Sequence, residues 1–198
     1  MWPACPRVSI ENCLAKLIIT RKAIDLDVSA EIKLKPIGYV RHAHTQEEVK
    51  STWTGVEGYI ELLPEYAEGL AGLEGFSHII VISYLHDVKD EQRKVLRVRP
   101  RRLTRFGIPL EELPEVGVFA TDSPHRPNPL ALSILKLKSV QGNRLIVENL
   151  DLFDGTPVLD IKPYDEGRRI ADLKLPEWYI RLRQRLHEIL GDKAPATI

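Results

Sequence analysis

The sequence is poor in cysteine and contains no long apolar run. Its 198 residues include only two cysteines, Cys5 and Cys13, and neither belongs to a pair of CxxC motifs. No segment approaches the roughly 20 apolar residues that a membrane-spanning helix needs. Glu11, Arg21 and Lys22 interrupt or flank the apolar stretch at the start, so no signal peptide is expected. These absences predict a cytoplasmic protein with no membrane segment and no metal.

The sequence also lacks an excess of charge of either sign. Lysine and arginine together number 28, as do aspartate and glutamate, so the formal net charge is zero. A polyanionic partner would therefore have to be bound by a local basic patch. Missing as well are a glycine-rich phosphate loop, GxGxxG, HExxH and GxSxG motifs, which argues against a Rossmann nucleotide site, a zinc site and a serine hydrolase.

Short β-rich runs separated by turn residues fill the chain after residue 34. The runs cover residues 35–41, 58–63, 78–85, 95–98, 117–121, 130–140 and 144–150. Even spacing of this kind predicts a mainly β protein, a barrel or a sandwich, with a hairpin turn at residues 141–143 and a short helix at residues 64–69.

A single amphipathic helix is predicted near the end of the chain. Pro176 suits a first helical turn, apolar residues from Trp178 to Ile189 follow at helical spacing, and Gly191 suits the end. Three arginines, at positions 181, 183 and 185, lie on the other face, which is more typical of a solvated surface than of a binding surface. We expect an N-terminal extension (1–33), a β domain (34–167) and a helical tail (168–198).

The densest basic segment is RKVLRVRPRRLTR, residues 93–105, which contains no acidic residue. If it is a strand, Arg97, Arg99 and Arg101 share one face and form a phosphate-binding edge. The alternative is a solvated edge strand protected by its charge. Phosphate binding is favoured because the nearest following acidic residues, Glu111, Glu112 and Glu115, lie outside the segment.

Two further segments carry polar residues in rigid surroundings. Three prolines stiffen ATDSPHRPNPLALS (120–133), so His125, Arg126 and Asn128 are either presented to a small polar ligand or belong to a structural corner. In DLFDGTPVLDIKPY (151–164), Asp154-Gly155 predicts a tight turn and the residues after it alternate as in a strand. Either Asp160 pairs with an arginine, or Asp154 and Thr156 contact a ligand.

These segments resemble, in this order, the TrmO family, which is also called YaeB or TsaA. The matching runs are PIGYVR (36–41), GLEGFSH (72–78), RPR (99–101), GVFAT (117–121), RPNP (126–129) and residues 150–164. The resemblance implies a β-barrel methyltransferase with a few short helices and a C-terminal helix. It implies S-adenosylmethionine as cofactor, tRNA as partner, a homodimer, and methylation of the exocyclic nitrogen of threonylcarbamoyladenosine beside the anticodon.

The resemblance also implies a set of site residues. Cofactor contacts fall on His86, Asp87, Leu132, Asp154, Gly155, Thr156 and Pro157, while Arg126 and Asn128 hold or line the site. Substrate contacts are expected at Arg97, Arg99 and Arg101, on the charge pattern of the basic segment, and at Arg126 and Asn128. Either His86 or Asp87 could act as the base.

Three departures from the family pattern qualify this reading. Asp122 replaces the arginine of the family's ATRSP, so an anion stands where a cofactor-contacting cation is expected. Residues 128–131 read NPLA where the family reads NPIG, and the family's PRQ element has no clear counterpart between His42 and Val56. A catalytically impaired module that binds a nucleoside or RNA on the same barrel therefore stands as the alternative.

Overall fold

The computed structural model describes residues 32–194, so nearly all of the extension expected at residues 1–33 lies outside the described residues. Eight strands and three α-helices are present in the described part. The strands are β1 (Gly38–Arg41), β2 (Val56–Leu62), β3 (His78–Tyr84), β4 (Arg97–Val98), β5 (Val116–Gly117), β6 (Leu130–Gln141), β7 (Arg144–Leu150) and β8 (Pro157–Pro163). The helices are α1 (Gln46–Ser51), α2 (Asp90–Arg93) and α3 (Glu177–Leu190).

Six of the strands close into an antiparallel barrel in the order β1-β2-β7-β6-β3-β8. Side chains alternate between the interior and the exterior of the barrel along each strand. On β6, for example, Leu135 and Leu137 are buried while Lys136 and Lys138 face outward. The Gly142–Asn143 turn joins β6 to β7, as predicted, with Gly142 at φ 62°. The predicted β-barrel is confirmed, and the segment after the Asp154 turn is a full barrel strand.

The chain between β3 and β6 leaves the barrel and forms a second, smaller core. This excursion contains the two-stranded β4–β5 sheet and several 3-10 turns, among them Arg101–Phe106 and Leu110–Glu112. Its buried residues, Leu103, Ile108 and Leu113, pack against Leu182 and Leu186 of α3. The predicted C-terminal helix is thus confirmed and serves as one wall of this small core.

The remaining helical segments are short. The predicted helix at residues 64–69 is a 3-10 helix, Pro64–Leu70. Helix α1 was not predicted, although Thr45 and Glu48 form the capping box that a TxxE pattern indicates. No helix among residues 32–194 is long and apolar enough to cross a membrane.

Candidate functional site

One end of the barrel brings together the segments that were singled out in the sequence. Strand β3 ends there and pairs with the beginnings of both β6 and β8, through Ile82↔Leu132 and Ser83↔Val158. Strand β1 also ends there, beside the start of β8. The Leu85 amide donates a 2.8 Å hydrogen bond to the Pro129 carbonyl, which ties the RPNP loop to the end of β3. We call this end of the barrel the site end.

The DGTP turn at the site end is held by backbone hydrogen bonds. The Gly155 amide donates to the Val40 carbonyl at 2.9 Å, and the Val40 amide donates to the Thr156 carbonyl at 3.0 Å. Gly155 has φ 77°, a left-handed conformation that glycine adopts without strain. Asp154 is exposed, and its Oδ1 accepts the His42 amide at 3.0 Å. The turn therefore presents a fixed carboxylate to solvent.

His42 was not a sequence candidate, yet it anchors the loop that follows β1. Its Nδ1 accepts the His44 amide at 3.2 Å, which requires Nδ1 to be unprotonated. Its Nε2 lies 2.9 Å from the Leu152 carbonyl and must then carry the hydrogen. These contacts fix one neutral tautomer and join the loop to the segment before the DGTP turn. The sequence gives no local signal for this role, since His42 and Leu152 are 110 residues apart.

His86 and Asp87 follow β3 directly, and both are exposed at the site end. His86 Nε2 lies 3.4 Å from Asp87 Oδ1. The other oxygen, Oδ2, accepts a 3.2 Å hydrogen bond from Gln46 at the start of α1. Gln46 is a second residue that sequence reasoning missed. Helix α1 thus occupies the region where no counterpart of the PRQ element was found, and it contacts a predicted cofactor residue.

The buried polar residues of the described chain are Ser83, Ser133 and Thr156, and all three lie near the site end. Ser133 donates to Asp151 Oδ1 at 2.6 Å. Ser83 is completely buried, and its hydroxyl has no hydrogen-bond partner within residues 32–194. Because an unsatisfied buried hydroxyl costs free energy, it marks a place where a polar ligand atom or water would be stabilised.

The proline loop is held from within by Arg126. Its guanidinium donates to the carbonyls of Ser123 at 2.8 Å and Val118 at 3.3 Å, and to the Thr121 carbonyl. With these contacts, Arg126 stabilises the loop conformation. Asp122 and Asn128, in contrast, are exposed. Leu132 lies on the outer face of β6 with 66% of its surface accessible.

The basic segment differs from the prediction. Only Arg97–Val98 is a strand, and Arg101 begins a 3-10 helix, so the three arginines do not share one strand face. Arg97 Nε lies 2.8 Å from Glu115 Oε1, and Arg99 donates to the Leu113 carbonyl. The expectation that the later acidic residues leave the segment uncompensated was therefore wrong, because the β4–β5 pairing brings Glu115 beside Arg97. Arg101 has no ion pair among the described residues.

Among residues 32–194, Asp160 does not pair with an arginine, which was one of the two alternatives considered for this segment. Lys162 on the same strand, and not an arginine, lies 2.7 Å from the Asp160 carboxylate. Residues two apart on a strand point to the same face, so this pairing needs no distant element. Within residues 32–194 there is no group of three or more His, Cys, Asp or Glu residues that could hold a metal ion.

Comparison with known proteins places these features in a family. Residues 43–167 match the family described as tRNA-methyltransferase O N-terminal domain. A protein of Pseudomonas aeruginosa named putative S-adenosylmethionine-dependent methyltransferase RcsF is 35% identical over 173 residues, which cover 78% of this chain and 71% of that protein. A probable S-adenosyl-L-methionine-binding protein of Methanothermobacter thermautotrophicus is 39% identical over 139 residues, covering 69% and 92%.

Solved structures give the same result. A crystal structure of TrmO has a TM-score of 0.56 and 29% identity, with 83% of this chain and 78% of that chain covered. The crystal structure of TrmO from Pseudomonas aeruginosa has a TM-score of 0.53 and 30% identity, with 73% of this chain covered. This chain spans 61% of the length of that Pseudomonas chain.

Proposed function

The chain belongs to the tRNA-methyltransferase O N-terminal domain family, and from that premise we propose that it is an S-adenosylmethionine-dependent tRNA methyltransferase. The finer proposal is that it methylates the exocyclic nitrogen of threonylcarbamoyladenosine next to the anticodon. The observation that carries the proposal is the convergence at the site end of His86–Asp87, the RPNP loop and the DGTP turn, three segments separated in sequence.

The residues at the site end fit the proposed cofactor. Asp154 and Asp87 offer exposed carboxylate oxygens to ribose hydroxyls or to an amino group. The backbone of Leu132 and that of Gly155, Thr156 and Pro157 also lie at the site end, in reach of the adenosine part of the cofactor. The unpartnered Ser83 hydroxyl is a further polar group for a ligand atom. When bound, S-adenosylmethionine supplies the methyl group on a sulfonium.

The protein's own contribution to the chemistry is to hold a proton acceptor in place. The nitrogen of a carbamoylated amine is a poor nucleophile until its proton leaves, so a base improves the reaction. We assign that role to His86, with Asp87 orienting its ring and Gln46 fixing the Asp87 carboxylate. The 3.4 Å separation is longer than a good hydrogen bond, and such contacts often tighten only when substrate is bound.

Substrate binding is assigned to the excursion between β3 and β6. Arg101 is exposed and has no ion pair within residues 32–194, while Arg97 and Arg99 exchange Glu115 for phosphate. Arg126 keeps the proline loop rigid, and the exposed Asn128 offers its amide.

We further propose a cytoplasmic homodimer, in line with the family resemblance. A stripe of exposed Leu130, Leu132 and Ile134 on β6 supports a self-association surface.

The experiment is incubation of purified protein with methyl-labelled S-adenosylmethionine and total tRNA, followed by digestion to nucleosides and mass spectrometry. The proposal expects label in methylated threonylcarbamoyladenosine and a large decrease of label with His86→Asn. Label in another nucleoside rejects the finer substrate and keeps the methyltransferase.

The second candidate is the non-catalytic module, which is favoured by one observation, the exposed Asp122 in place of the family arginine. RNA binding with neither cofactor binding nor methyl transfer would establish that candidate.

A further inference from the structure

A cavity beside the DGTP turn is not among the features that the family resemblance assigns. It has a volume of about 280 Å³ and lies between α1, the 3-10 helix Arg101–Phe106 and the segment that precedes Asp154. Its lining residues are Val49, Lys50, Arg102, Arg105, Asp151 and Phe153. This volume is at the lower limit for a ligand pocket and suits a fragment such as one phosphate with part of its nucleoside.

Positive charge predominates in the cavity. Lys50 and Arg102 have no ion pair with any carboxylate among the described residues. Arg105 is paired with Glu47. The only lining carboxylate within residues 32–194, Asp151, is held by the Ser133 hydroxyl at 2.6 Å. With Glu47 included, three cations face two carboxylates, so an anion is favoured over a cation.

Arg102 is already fixed in position. Its guanidinium stacks over the Trp53 ring at 4.9 Å and donates to the Thr52 carbonyl, and Trp53 in turn stacks on Phe106 at 4.1 Å. A guanidinium has five N–H groups, so donors remain for an anion. Partial burial lowers the pKa of Arg102, and Asp151 acts in the opposite direction, but the group remains charged near neutral pH. A positioned and partly dehydrated cation binds an anion at a reduced ordering cost.

The cavity also contains an aromatic surface. The Lys50 ammonium lies 5.2 Å from the centre of the Phe153 ring. A cationic groove next to an aromatic ring is the combination that single-stranded nucleic acid requires, with phosphate on the cations and a base or sugar against the ring. Phe153 directly precedes Asp154, so a nucleotide held here lies next to the proposed cofactor residues.

We propose that this cavity binds one phosphodiester of the RNA strand that enters the site end, with Lys50 and Arg102 contacting the phosphate and Phe153 contacting the attached nucleoside. The inference rests on the proposed tRNA methyltransferase function. It adds Lys50 of α1 and Arg102 of the 3-10 helix to the substrate contacts proposed for Arg97, Arg99 and Arg101.

The test compares the full-length protein with the double variant Lys50→Gln/Arg102→Gln. The matched control, Lys136→Gln/Lys138→Gln, removes two positive charges from the half of β6 away from the site end. Affinity for a fluorescent RNA hairpin with a single-stranded loop is measured by anisotropy at several salt concentrations, and S-adenosylmethionine affinity by calorimetry. Inorganic phosphate and adenosine monophosphate are added as competitors in separate arms.

We expect the cavity variant to bind the hairpin about tenfold more weakly, with a salt slope smaller by about one, and to bind S-adenosylmethionine as the parent does. The control should match the parent in RNA affinity. Equal hairpin binding by parent and cavity variant overturns the inference and leaves the proposed function standing. Failure of the parent itself to bind RNA overturns the proposed function.

The competitors distinguish an RNA phosphate from a small free anion, and a second variant covers the case in which the first does not fold. Competition by inorganic phosphate or adenosine monophosphate at the cavity, without any decrease of hairpin affinity in the variant, overturns the RNA assignment in favour of a small free anion. If the double variant does not fold, the exposed single change Lys50→Glu replaces it, since charge reversal should weaken hairpin binding more than tenfold. Unchanged affinity in Lys50→Glu also overturns the inference.

Discussion

The barrel and the excursion between β3 and β6 are built differently. Among residues 32–194, the barrel core contains 13 buried apolar residues, and all of them except Leu70 and Leu152 lie on barrel strands. The smaller core has five in the described residues: Leu103, Ile108 and Leu113 from the excursion, and Leu182 and Leu186 from α3. The barrel is thus stabilised mainly by its own strands, whereas the excursion depends on α3, which begins at Glu177 after the last barrel strand.

This difference separates two tasks. The proposed cofactor residues lie on barrel strands or directly beside their ends, where paired backbone fixes their positions. Of the proposed RNA contacts, Arg97 lies on the two-residue strand β4, and Arg101 and Arg102 lie on a 3-10 helix whose Leu103 belongs to the small core. We therefore expect the cofactor to bind a rigid part of the molecule and the large RNA substrate to bind a less stable part.

The largest effect on stability is expected when a buried leucine is shortened to alanine in each core in turn. Leu145 in the barrel and Leu186 in the small core are both completely buried. Replacing either by alanine should cost about 2 to 5 kcal/mol locally, because apolar burial is reduced and a cavity remains. We expect Leu145→Ala to lower the free energy of unfolding of the whole protein. Leu186→Ala should reduce hydrogen-exchange protection mainly at residues 101–113 and in α3.

The same pair of variants sharpens the functional division. Leu186→Ala should weaken RNA binding more than S-adenosylmethionine binding, because the basic turns are deprived of their support while the DGTP turn is not. An equal decrease of exchange protection throughout the barrel and the excursion in Leu186→Ala would show that the two cores unfold as one cooperative unit.

The second prediction concerns the basic edge, here the proposed phosphate contacts Arg97 and Arg101. Arg97→Ala/Arg101→Ala should lower tRNA affinity about tenfold and reduce the salt slope by about two, since each arginine that binds a phosphate contributes about one to the slope. Arg99 is left intact because its guanidinium donates a hydrogen bond to the Leu113 carbonyl. The matched control is Arg181→Ala/Arg183→Ala on α3, which avoids Arg185 and its 3.1 Å contact with Glu112.

Filter binding across a salt series measures both double variants. Weaker tRNA binding by the α3 variant, with the edge variant unchanged, would place the RNA surface on α3 and contradict the assignment to the basic edge.

The sequence predicted the barrel well because strand alternation is a local signal. The strands around residues 78–84, 130–141 and 144–150 were recognised within one or two residues at each end, as was the turn at Gly142. The C-terminal helix was recognised for the same reason, from apolar residues at helical spacing and a terminal glycine.

The site was only partly predictable, because its contacts join distant residues. Nothing near Arg97 indicates that Glu115 will lie beside it, and nothing near His42 indicates the Leu152 carbonyl as its partner. Helix α1 could have been found, since Thr45 and Glu48 form a readable capping pattern. The contact that this helix makes with Asp87 through Gln46 could not have been found from the sequence.

A third prediction tests the unusual acidic residue of the proline loop. Asp122 is exposed, and in the proposed site its carboxylate would repel the cofactor carboxylate, which the family cation would attract. Because solvent screens the site, Asp122→Arg should tighten S-adenosylmethionine binding by only a few kcal/mol at most, with the fold intact. Calorimetry measures the change. Weaker binding by this variant would make Asp122 a true ligand contact adapted to this chain.

The smallest effect is expected on the barrel wall away from the site end. Lys136 and Lys138 hydrogen-bond the Glu148 carboxylate and lower its pKa from 4.5 to about 2. A lowered pKa in the folded state means that the ion pairs stabilise the protein above about pH 4.5, and that this contribution disappears as the pH falls towards 2. Glu148→Gln should flatten the acid dependence of the unfolding midpoint in that range.

High salt provides the control for Glu148, since it should reduce the difference between parent and variant. An identical acid dependence in both proteins would mean that these ion pairs are not maintained in solution.

The central claim is that the site end of the barrel holds S-adenosylmethionine through the DGTP turn, and the most direct measurement is calorimetric titration of Asp154→Ala. Because the Asp154 carboxylate is fixed and exposed, its removal should weaken cofactor binding by about 1 to 3 kcal/mol. The exposed Asp172→Ala serves as the control and should bind as the parent does. Unchanged cofactor affinity in a folded Asp154→Ala protein would contradict the account.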